Sequence, residues 1–242
     1  ATLPTAIDGA WWRQHAHLVR FGSRGLEFEE GVPLPEAGEA VAPERTPPSP
    51  DAFSGIVGQE ALVQRLETTA KGCEARGRVF PHTLLTGPAG TGKTTIAHAV
   101  AASVGGRLVK ATGPLLEDVR PLVGLLAEVR EGDVLFVEEV HAVPRPVLEA
   151  LYEAMAERRL SLTFHGGSLT RAVRLDLPAF TLVAATTEEG ELPRPFLSRF
   201  GLREALGFYP REVLAGLIAR QAQAEGYALE AEAAARVADF AR

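Results

Sequence analysis

The strongest constraint on the fold is a glycine-rich segment that follows a short apolar stretch and precedes a helical pattern. It reads, from residue 87 to residue 94, Gly87-Pro88-Ala89-Gly90-Thr91-Gly92-Lys93-Thr94. The segment fits the eight-residue phosphate-binding loop at every fixed position. Glycines let the backbone curl so that successive N–H groups point inward at phosphate oxygens, backed by the positive end of the next helix. Lys93 is therefore expected at the β- and γ-phosphates, and Thr94 is expected to offer its hydroxyl to Mg²⁺.

The pattern around this loop alternates between strands and helices. Short apolar strands are predicted at 82–86, 107–111, 133–137 and 180–185, and helices at 59–75, 93–104, 115–130 and 146–157. Such alternation predicts an α/β fold with a parallel sheet covered by helices on both faces. Two alternating strands at 160–165 and 171–177, around Gly166-Gly167, predict a β-hairpin (160–177) inserted before the last apolar strand. Residues 211–242 are predicted to be helical.

A pair of acidic residues follows the apolar strand at 133–137. Glu138 and Glu139 stand about forty residues after the phosphate loop. A carboxylate at the tip of a buried strand can hold the water shell of a metal, and the next one can activate an attacking water. We interpret Glu138 as the metal-side carboxylate, together with Thr94, and Glu139 as the hydrolytic base. A solvated acidic pair after a strand is the alternative.

Composition excludes several classes of protein. The 242 residues carry a formal net charge of −6, which does not suit a protein that coats nucleic acid over its whole surface. No run of eighteen apolar residues is present, so no membrane span is predicted. The single cysteine, Cys73, excludes a disulfide framework and fits a reducing compartment, so a cytoplasmic location is expected. The chain begins at Ala1 without an initiator Met or a signal pattern, and we expect a fragment or a processed form.

Five segments, in order along the chain from about 55 to 230, resemble AAA+ ATPases and more narrowly the RuvB family, the motor subunit of Holliday-junction branch migration. They are 56–60 (Ile56-Val57-Gly58-Gln59-Glu60), 88–98, 134–141, 175–187 and 197–201 (Leu197-Ser198-Arg199-Phe200-Gly201). The sequence departs from the family at Glu138, where the family has Asp. For residues 1–50 we identify no family resemblance.

The resemblance implies an AAA+ P-loop NTPase that binds ATP or ADP with Mg²⁺. It implies that Ile56 and Val57 cover the adenine ring and that Tyr209 lies along the ring from the side of the lid domain. Thr95, which follows Thr94 in the matching segment, is expected among the nucleotide-binding residues.

The resemblance also implies two further catalytic residues. Thr187, at the tip of a strand, would contact the γ-phosphate or the attacking water, with Thr186 as a rival for the role. Arg199 would reach into the site of a neighbouring subunit and stabilise charge on the transferred phosphoryl group, with Arg194 as a rival. A surface ion pair is the other interpretation of Arg199.

We divide the chain into four parts on these grounds. They are an N-terminal segment of unknown role (1–31), a proline-rich linker (32–50), an AAA+ large ATPase domain (51–207) and a partial helical lid domain (208–242). The family continues beyond such a lid into a DNA-binding winged helix, so we expect a truncated lid here. A short hairpin is also predicted around Ser23-Arg24-Gly25, in the segment that carries Trp11 and Trp12.

The resemblance implies a motor that acts on DNA, in branch migration or helicase-like remodelling, as a ring of identical subunits, with six as the expected number. A partner protein is expected to dock on the hairpin 160–177. Two other functions stay open: a remodeller of proteins or relative of the clamp loaders, and a nucleotide-gated assembly module with slow or absent hydrolysis.

Overall fold

The computed structural model describes the backbone of residues 6–7, 19–22, 25–28, 47–166 and 169–241, with side chains from 47–161 and 174–241. In chain order, the strands are β1 (Ala6–Ile7), β2 (Val19–Gly22), β3 (Gly25–Phe28), β4 (Thr83–Thr86), β5 (Leu108–Thr112), β6 (Val134–Glu138), β7 (Arg159–Gly166), β8 (Leu169–Asp176), β9 (Thr181–Thr186) and β10 (Leu202–Ala205). The helices are α1 (Glu60–Glu74), α2 (Lys93–Ser103), α3 (Val119–Glu128), α4 (Arg145–Glu157), α5 (Arg194–Leu197), α6 (Arg211–Ala224) and α7 (Ala231–Phe240).

The central sheet has five strands, and all four pairings in it are parallel. Its order is β10-β4-β9-β6-β5. Because every strand runs in the same direction, the carboxyl ends of all five meet at one edge. This sheet with its flanking helices confirms the predicted α/β class.

Alternation along the buried strands fills two separate cores. On one face, Leu135 and Val137 of β6 join a cluster built with α3 and α4, while on the other face Val134 and Phe136 join a cluster built with α1 and α2. β9 divides in the same way, with Leu182 on the first face. Period-two packing on both sides is what a strand without polar residues requires.

β1 and α5 were not predicted from the sequence, and two further elements differ from the prediction for reasons that their contacts show. The helix predicted at 115–130 spans only Val119–Glu128, because the Asp118 side chain accepts the Arg120 N–H and caps the helix, and the chain is extended at Val129. The edge strand β10 was not predicted, since its charged residues oppose the strand pattern. Its buried Glu204 is neutralised by Arg65 of α1, whose Nε lies 2.9 Å from Glu204 Oε1.

A second sheet contains the inserted hairpin. β7 and β8 pair antiparallel from Arg159↔Asp176 to Gly166↔Leu169, which confirms the predicted hairpin with strand boundaries shifted by one or two residues. β1 pairs in parallel with β8 at Arg174 and Leu175. The hairpin side chains at 162–173 lie outside the described residues.

The N-terminal segment shows one predicted feature. β2 and β3 pair antiparallel from Val19↔Phe28 to Gly22↔Gly25, so the predicted short hairpin is confirmed. Trp11, Trp12 and most of the proline-rich linker, 32–46, lie outside the described residues. Within the ranges that the structure covers, no helix is long and apolar enough to cross a membrane.

A buried carboxylate ties the amino ends of β5 and β6 together. Asp133, whose side chain is 5% exposed, accepts the backbone N–H groups of Arg107 at 3.0 Å and Arg130 at 2.9 Å. Its Oδ2 also accepts the Arg107 Nε–H at 3.1 Å. Removing this acceptor would leave two backbone donors without a partner in a buried setting.

We therefore expect Asp133→Ala to lower the free energy of unfolding by about 2–4 kcal/mol. Asp176→Ala is the matched control, because Asp176 is 52% exposed and pairs with Arg174 at the surface, where an ion pair contributes less than about 1 kcal/mol. Urea unfolding followed by circular dichroism measures both. Equal losses in the two variants would contradict the role assigned to Asp133.

Candidate functional site

The candidate site lies at the carboxyl edge of the central sheet. The phosphate loop leaves the end of β4 and leads directly into α2, the acidic pair ends β6, and Thr186 ends β9. β9 lies between β4 and β6 in the sheet. The parallel pairing therefore brings together three segments that are about fifty residues apart in sequence.

The phosphate loop is closed by its own hydrogen bonds. Thr91 Oγ1 donates to the Pro88 carbonyl at 2.9 Å, and Lys93 Nζ donates to the carbonyls of Gly87 at 2.8 Å and Pro88 at 2.7 Å. Gly92 has a φ of 93° at the start of α2, a left-handed conformation that L side chains rarely adopt. The loop is thus a turn wrapped around the lysine head, and Gly90 at its centre is also left-handed.

Lys93 is buried, and its surroundings affect its charge. Burial lowers the pKa of Lys93 from its ordinary value, and the negative charges of Glu139 and Glu138 partly oppose this shift. The carbonyls that it contacts are weaker partners for an ammonium than phosphate oxygens would be. A bound phosphate could therefore replace these carbonyls as the hydrogen-bond partner of the Lys93 ammonium.

Thr94 and Glu138 join the first turn of α2 to the end of β6. The Thr94 hydroxyl donates a hydrogen bond to Glu138 Oε1. The glutamate, one methylene longer than the family's aspartate, thus directly contacts the threonine hydroxyl. The two side chains offer only oxygen atoms, which suits Mg²⁺. Thr95, the next residue, is exposed on the same turn of α2.

Glu139 has an unusual backbone conformation. Its φ of 50° and ψ of 48° are left-handed, and it starts the short 3₁₀ turn Val140–Ala142. A non-glycine residue there costs about 1–3 kcal/mol and is often found at functional sites. Thr187 Oγ1 donates to Glu139 Oε2 at 3.4 Å, and His141 Nδ1 lies 3.3 Å from the same oxygen.

The two threonines at the end of β9 have different surroundings. Thr186 is fully buried, and its Oγ1 accepts the Glu188 backbone N–H at 2.9 Å and contacts His141 Nδ1 at 2.9 Å. Thr187 is exposed, and its hydroxyl faces Glu139. The geometry therefore favours Thr187 over Thr186 as the group that meets a ligand.

Sequence reasoning assigned no role to His141. Its Nδ1 lies between Thr186 Oγ1 and Glu139 Oε2, and its Nε2 is 4.0 Å from Glu188 Oε1. The imidazole therefore links the acidic turn to the end of β9. Its position two residues after Glu139, in the turn that leaves the strand, was the available signal.

Tyr209 lies directly over the phosphate loop. Its hydroxyl donates to the Thr91 carbonyl at 2.9 Å, and a methyl group on Gly92 would meet that hydroxyl oxygen at 2.8 Å. Burial raises the pKa of Tyr209, and a hydrogen bond with Gln59 opposes that rise. The phenol is thereby fixed between the loop and the α1 end of the domain.

Segment 56–58 contacts Tyr209 from the other side. A methyl group on Gly58 would lie 2.7 Å from Tyr209 Cδ1, so the ring packs directly on the backbone there. Ile56 packs against the core around α1 and α2, and Val57 is exposed. The structure therefore brings together the phosphate loop, segment 56–58 and Tyr209.

Arg199 is turned toward α4. It follows α5, its guanidinium carbon lies 4.5 Å from the centroid of the Tyr152 ring, and its Nη2 donates to the Tyr152 hydroxyl. In the described part of the chain, no hydrogen bond or ion pair joins Arg199 to the phosphate loop or to Glu139. Arg194 is exposed at the start of α5.

Comparison with known proteins shows which family the chain resembles. The Holliday junction DNA helicase RuvB P-loop domain matches residues 49–206. The Holliday junction branch migration complex subunit RuvB of Pelodictyon phaeoclathratiforme is 39% identical over 209 residues, covering 86% of this chain and 60% of that protein. The same subunit of Chlorobium luteolum is 38% identical over 193 residues, covering 80% of this chain and 56% of that protein.

Solved structures agree with the sequence comparison. A point mutant of Thermotoga maritima RuvB superposes with a TM-score of 0.68 at 34% identity, covering 80% of this chain and 60% of that one. The Thermotoga maritima RuvB Holliday junction branch migration motor gives a TM-score of 0.64 at 34% identity, covering 75% and 56%. The chain thus spans about three fifths of the length of the relatives it matches. On the match to 49–206 and these identities, the chain belongs to the RuvB P-loop domain family.

Proposed function

We propose that this protein is an ATP-binding and ATP-hydrolysing AAA+ motor of RuvB type that acts on branched DNA. The observation that carries the proposal is the convergence of Lys93, the Thr94–Glu138 pair and the Glu139–Thr187 pair at one edge of the sheet. A phosphate cradle, a metal-side oxygen pair and a carboxylate aimed at the same place are the parts that phosphoryl transfer to water needs.

Nucleotide binding is assigned to the loop and to the surfaces on either side of it. The backbone N–H groups of 89–94 and the ammonium of Lys93 would hold the phosphates, with Thr95 nearby on the first turn of α2. Ile56 and Val57 on one side and Tyr209 on the other would hold the adenine. Contact of Tyr209 with both Gly58 and the loop supports this arrangement.

Thr94 and Glu138 would hold Mg²⁺ with the nucleotide. In the region with described side chains, no cluster of three or more His, Cys, Asp or Glu residues suits a metal. One or two protein oxygens are enough for Mg²⁺, because phosphates and water complete its shell. The ion, when bound, neutralises charge on the phosphates. The Glu138 carboxylate lies next to the Thr94 hydroxyl, so the two side chains fit a Mg²⁺ site.

Hydrolysis is assigned to Glu139 and Thr187. Glu139 would accept a proton from the attacking water, and Thr187, whose hydroxyl faces Glu139, would orient that water or the γ-phosphate. His141 contacts the Glu139 carboxylate and holds its turn against β9. The left-handed backbone at Glu139 turns its side chain out of the strand direction.

The motor is proposed to work as a ring of copies of this chain, with six as the expected number. The Arg199 guanidinium is held on Tyr152 of α4 and not at its own phosphate loop, which supports a role in the site of a neighbouring subunit. The β7–β8 hairpin is proposed as the docking element for a partner protein. The same proposal includes the division into an ATPase domain (51–207) and part of a lid (208–242). It also includes a cytoplasmic location, where Cys73 would stay reduced.

Glu138 supports a second candidate, a nucleotide-gated assembly module. A direct Thr94–Glu138 contact can stabilise the loop without a metal, and this favours tight binding over turnover. The two candidates differ in whether bound ATP is hydrolysed.

Lys93 makes the affinity for ADP depend on pH. Because burial lowers the pKa of Lys93, the free protein loses this positive charge at a lower pH than an ordinary lysine would. ADP affinity should be constant between the pKa of the terminal phosphate, about 6, and the pKa of Lys93, and should fall as the pH rises through the pKa of Lys93. Lys93→Arg should flatten the pH profile, because its guanidinium stays charged. Isothermal titration at several pH values measures this.

The size of the Lys93 contribution is tested in the same titration. At neutral pH, Lys93→Ala should weaken ADP binding by about ten- to hundredfold. Lys71→Ala, at an exposed position near the end of α1, is the matched control and should leave affinity unchanged. A Lys93→Ala protein with the wild-type affinity would overturn the assignment.

Glu138→Gln separates charge from length at the metal side. The amide can still accept the Thr94 hydroxyl bond but cannot offer a negative charge. The Mg²⁺ concentration at half-maximal effect on ADP binding should rise about 10- to 100-fold. Glu138→Asp keeps the charge and is the control. In EDTA, the wild-type protein and Glu138→Gln should bind ADP with equal affinity. A 10- to 100-fold loss of ADP affinity in Glu138→Gln without metal would contradict a metal role.

Glu139→Gln tests hydrolysis and the DNA assignment together. The full chain should hydrolyse ATP faster with four-way junction DNA than with duplex or no DNA. Glu139→Gln should lower kcat about 10²- to 10⁴-fold while ADP affinity stays within about twofold. Glu149→Gln, 71% exposed on α4, is the control. Tight ATP binding without turnover in any arm would favour the assembly module instead.

A further inference from the structure

Tyr152 and Arg199 form a contact that lies outside the nucleotide site of their own chain. Tyr152 is in the second half of α4, half-buried and packed against the core beneath that helix. The Arg199 guanidinium carbon is 4.5 Å from its ring centroid, and Nη2 donates to its hydroxyl. Stacking and a hydrogen bond on one side chain hold a guanidinium at two points.

The backbone beneath Arg199 is also fixed. Its N–H donates to the Phe196 carbonyl at 3.1 Å. Phe196 and Phe200 are buried on either side of it, with their rings edge to face at 5.1 Å between centroids. Only the arginine side chain itself can change orientation, and it is among the side chains with the largest rotamer entropy.

We propose that Tyr152 is a positioning residue that holds the Arg199 guanidinium ready for the phosphates of a neighbouring subunit. The inference rests on the proposed role of Arg199. A guanidinium has five N–H donors, and the Tyr152 hydroxyl takes one of them. Arg199 can therefore meet a phosphate oxygen while it remains on the ring. Because the side chain is ordered before the reaction, its ordering does not add to the barrier.

A packing role alone predicts different behaviour. If Tyr152 only fills space, Tyr152→Leu should have the same effect on turnover in whichever subunit of a ring carries it. If Tyr152 positions Arg199, the substitution should matter only in the subunit that supplies Arg199. Rings made of two kinds of subunit therefore distinguish the two hypotheses.

The mixing experiment uses two variants of the chain, each with strongly reduced turnover alone. Glu139→Gln subunits lack the base but have Arg199, and Arg199→Ala subunits lack the arginine but have Glu139. Mixed rings should regain ATP turnover where one kind stands beside the other. Tyr152→Leu added to the Glu139→Gln subunit should lower this recovered kcat on the order of tenfold to hundredfold, with KM for ATP within about twofold.

The same substitution placed in the Arg199→Ala subunit should leave the recovered turnover unchanged. Tyr152→Phe, which keeps the ring, should fall between wild type and Tyr152→Leu. Tyr227→Leu, at a 72% exposed tyrosine beyond α6, is the matched control in either subunit. Equal losses from Tyr152→Leu in both kinds of subunit would overturn the proposal.

A double-mutant cycle in unmixed protein keeps the test independent of the ring. Tyr152→Leu should add no loss of kcat to Arg199→Ala, whereas its effect should multiply with that of Arg194→Ala. If mixing restores no turnover, the proposed action of Arg199 on its neighbour fails. The cycle then still decides on Tyr152, and independent effects of Tyr152→Leu and Arg199→Ala would overturn its role.

A spectroscopic measurement needs neither nucleotide nor turnover. A guanidinium above an aromatic ring has its Nε–H proton shifted upfield, so Arg199 should give a displaced arginine signal in a ¹⁵N spectrum of the full chain. Loss of that signal in Arg199→Lys assigns it. Tyr152→Leu should return the signal to the ordinary arginine range, and Tyr152→Phe should keep most of the displacement. An Arg199 signal that is undisplaced in the wild-type protein would refute the contact.

Discussion

Parallel pairing of β4, β9 and β6 is the constraint on which the site depends. Parallel strands end at the same edge of the sheet. The phosphate loop, the acidic pair and the residues Thr186 and Thr187 therefore become neighbours in space although they are far apart in sequence. Two-sided burial of these strands fixes the register, because a shift by one residue would exchange Phe136 and Val137 between the two cores. The geometry of the site follows from packing well below it.

Local pattern predicted the elements whose signals are complete within a few residues. The glycine spacing identified the loop around Lys93, and the apolar run before Glu138 identified its strand. Elements that depend on a distant partner were missed or left open. β10 is stable as an edge strand because Arg65 neutralises Glu204 from another helix. Thr186 and Thr187 are adjacent identical residues, yet Thr186 is buried and contacts His141 while Thr187 is exposed and faces Glu139. Tyr152 gave no sequence signal of its own, and the signal for His141 was limited to its position two residues after Glu139.

The contacts of Glu138 and of the N-terminal strand β1 show what these features of the chain do. Glu138 replaces an aspartate, and its extra methylene is used to reach the Thr94 hydroxyl directly. The family match begins at residue 49, and the segment before it adds β1 to the outer edge of β8. An edge strand that is paired within the chain has fewer backbone groups to offer to another protein. β1 therefore covers part of the β8 edge of the hairpin proposed to dock a partner.

Helix α4 connects the parts of the protein that are proposed to act on different subunits. It begins three residues after the turn that carries Glu139 and His141, holds Arg199 on Tyr152, and leads into β7 of the hairpin. Val147 and Leu151 are fully buried in the core beneath it, so the helix can shift only with its packing. A displacement at either end would therefore move Tyr152 as part of a rigid unit, because close-packed interiors transmit strain. The acidic turn, the arginine support and the hairpin are thus positioned by one element.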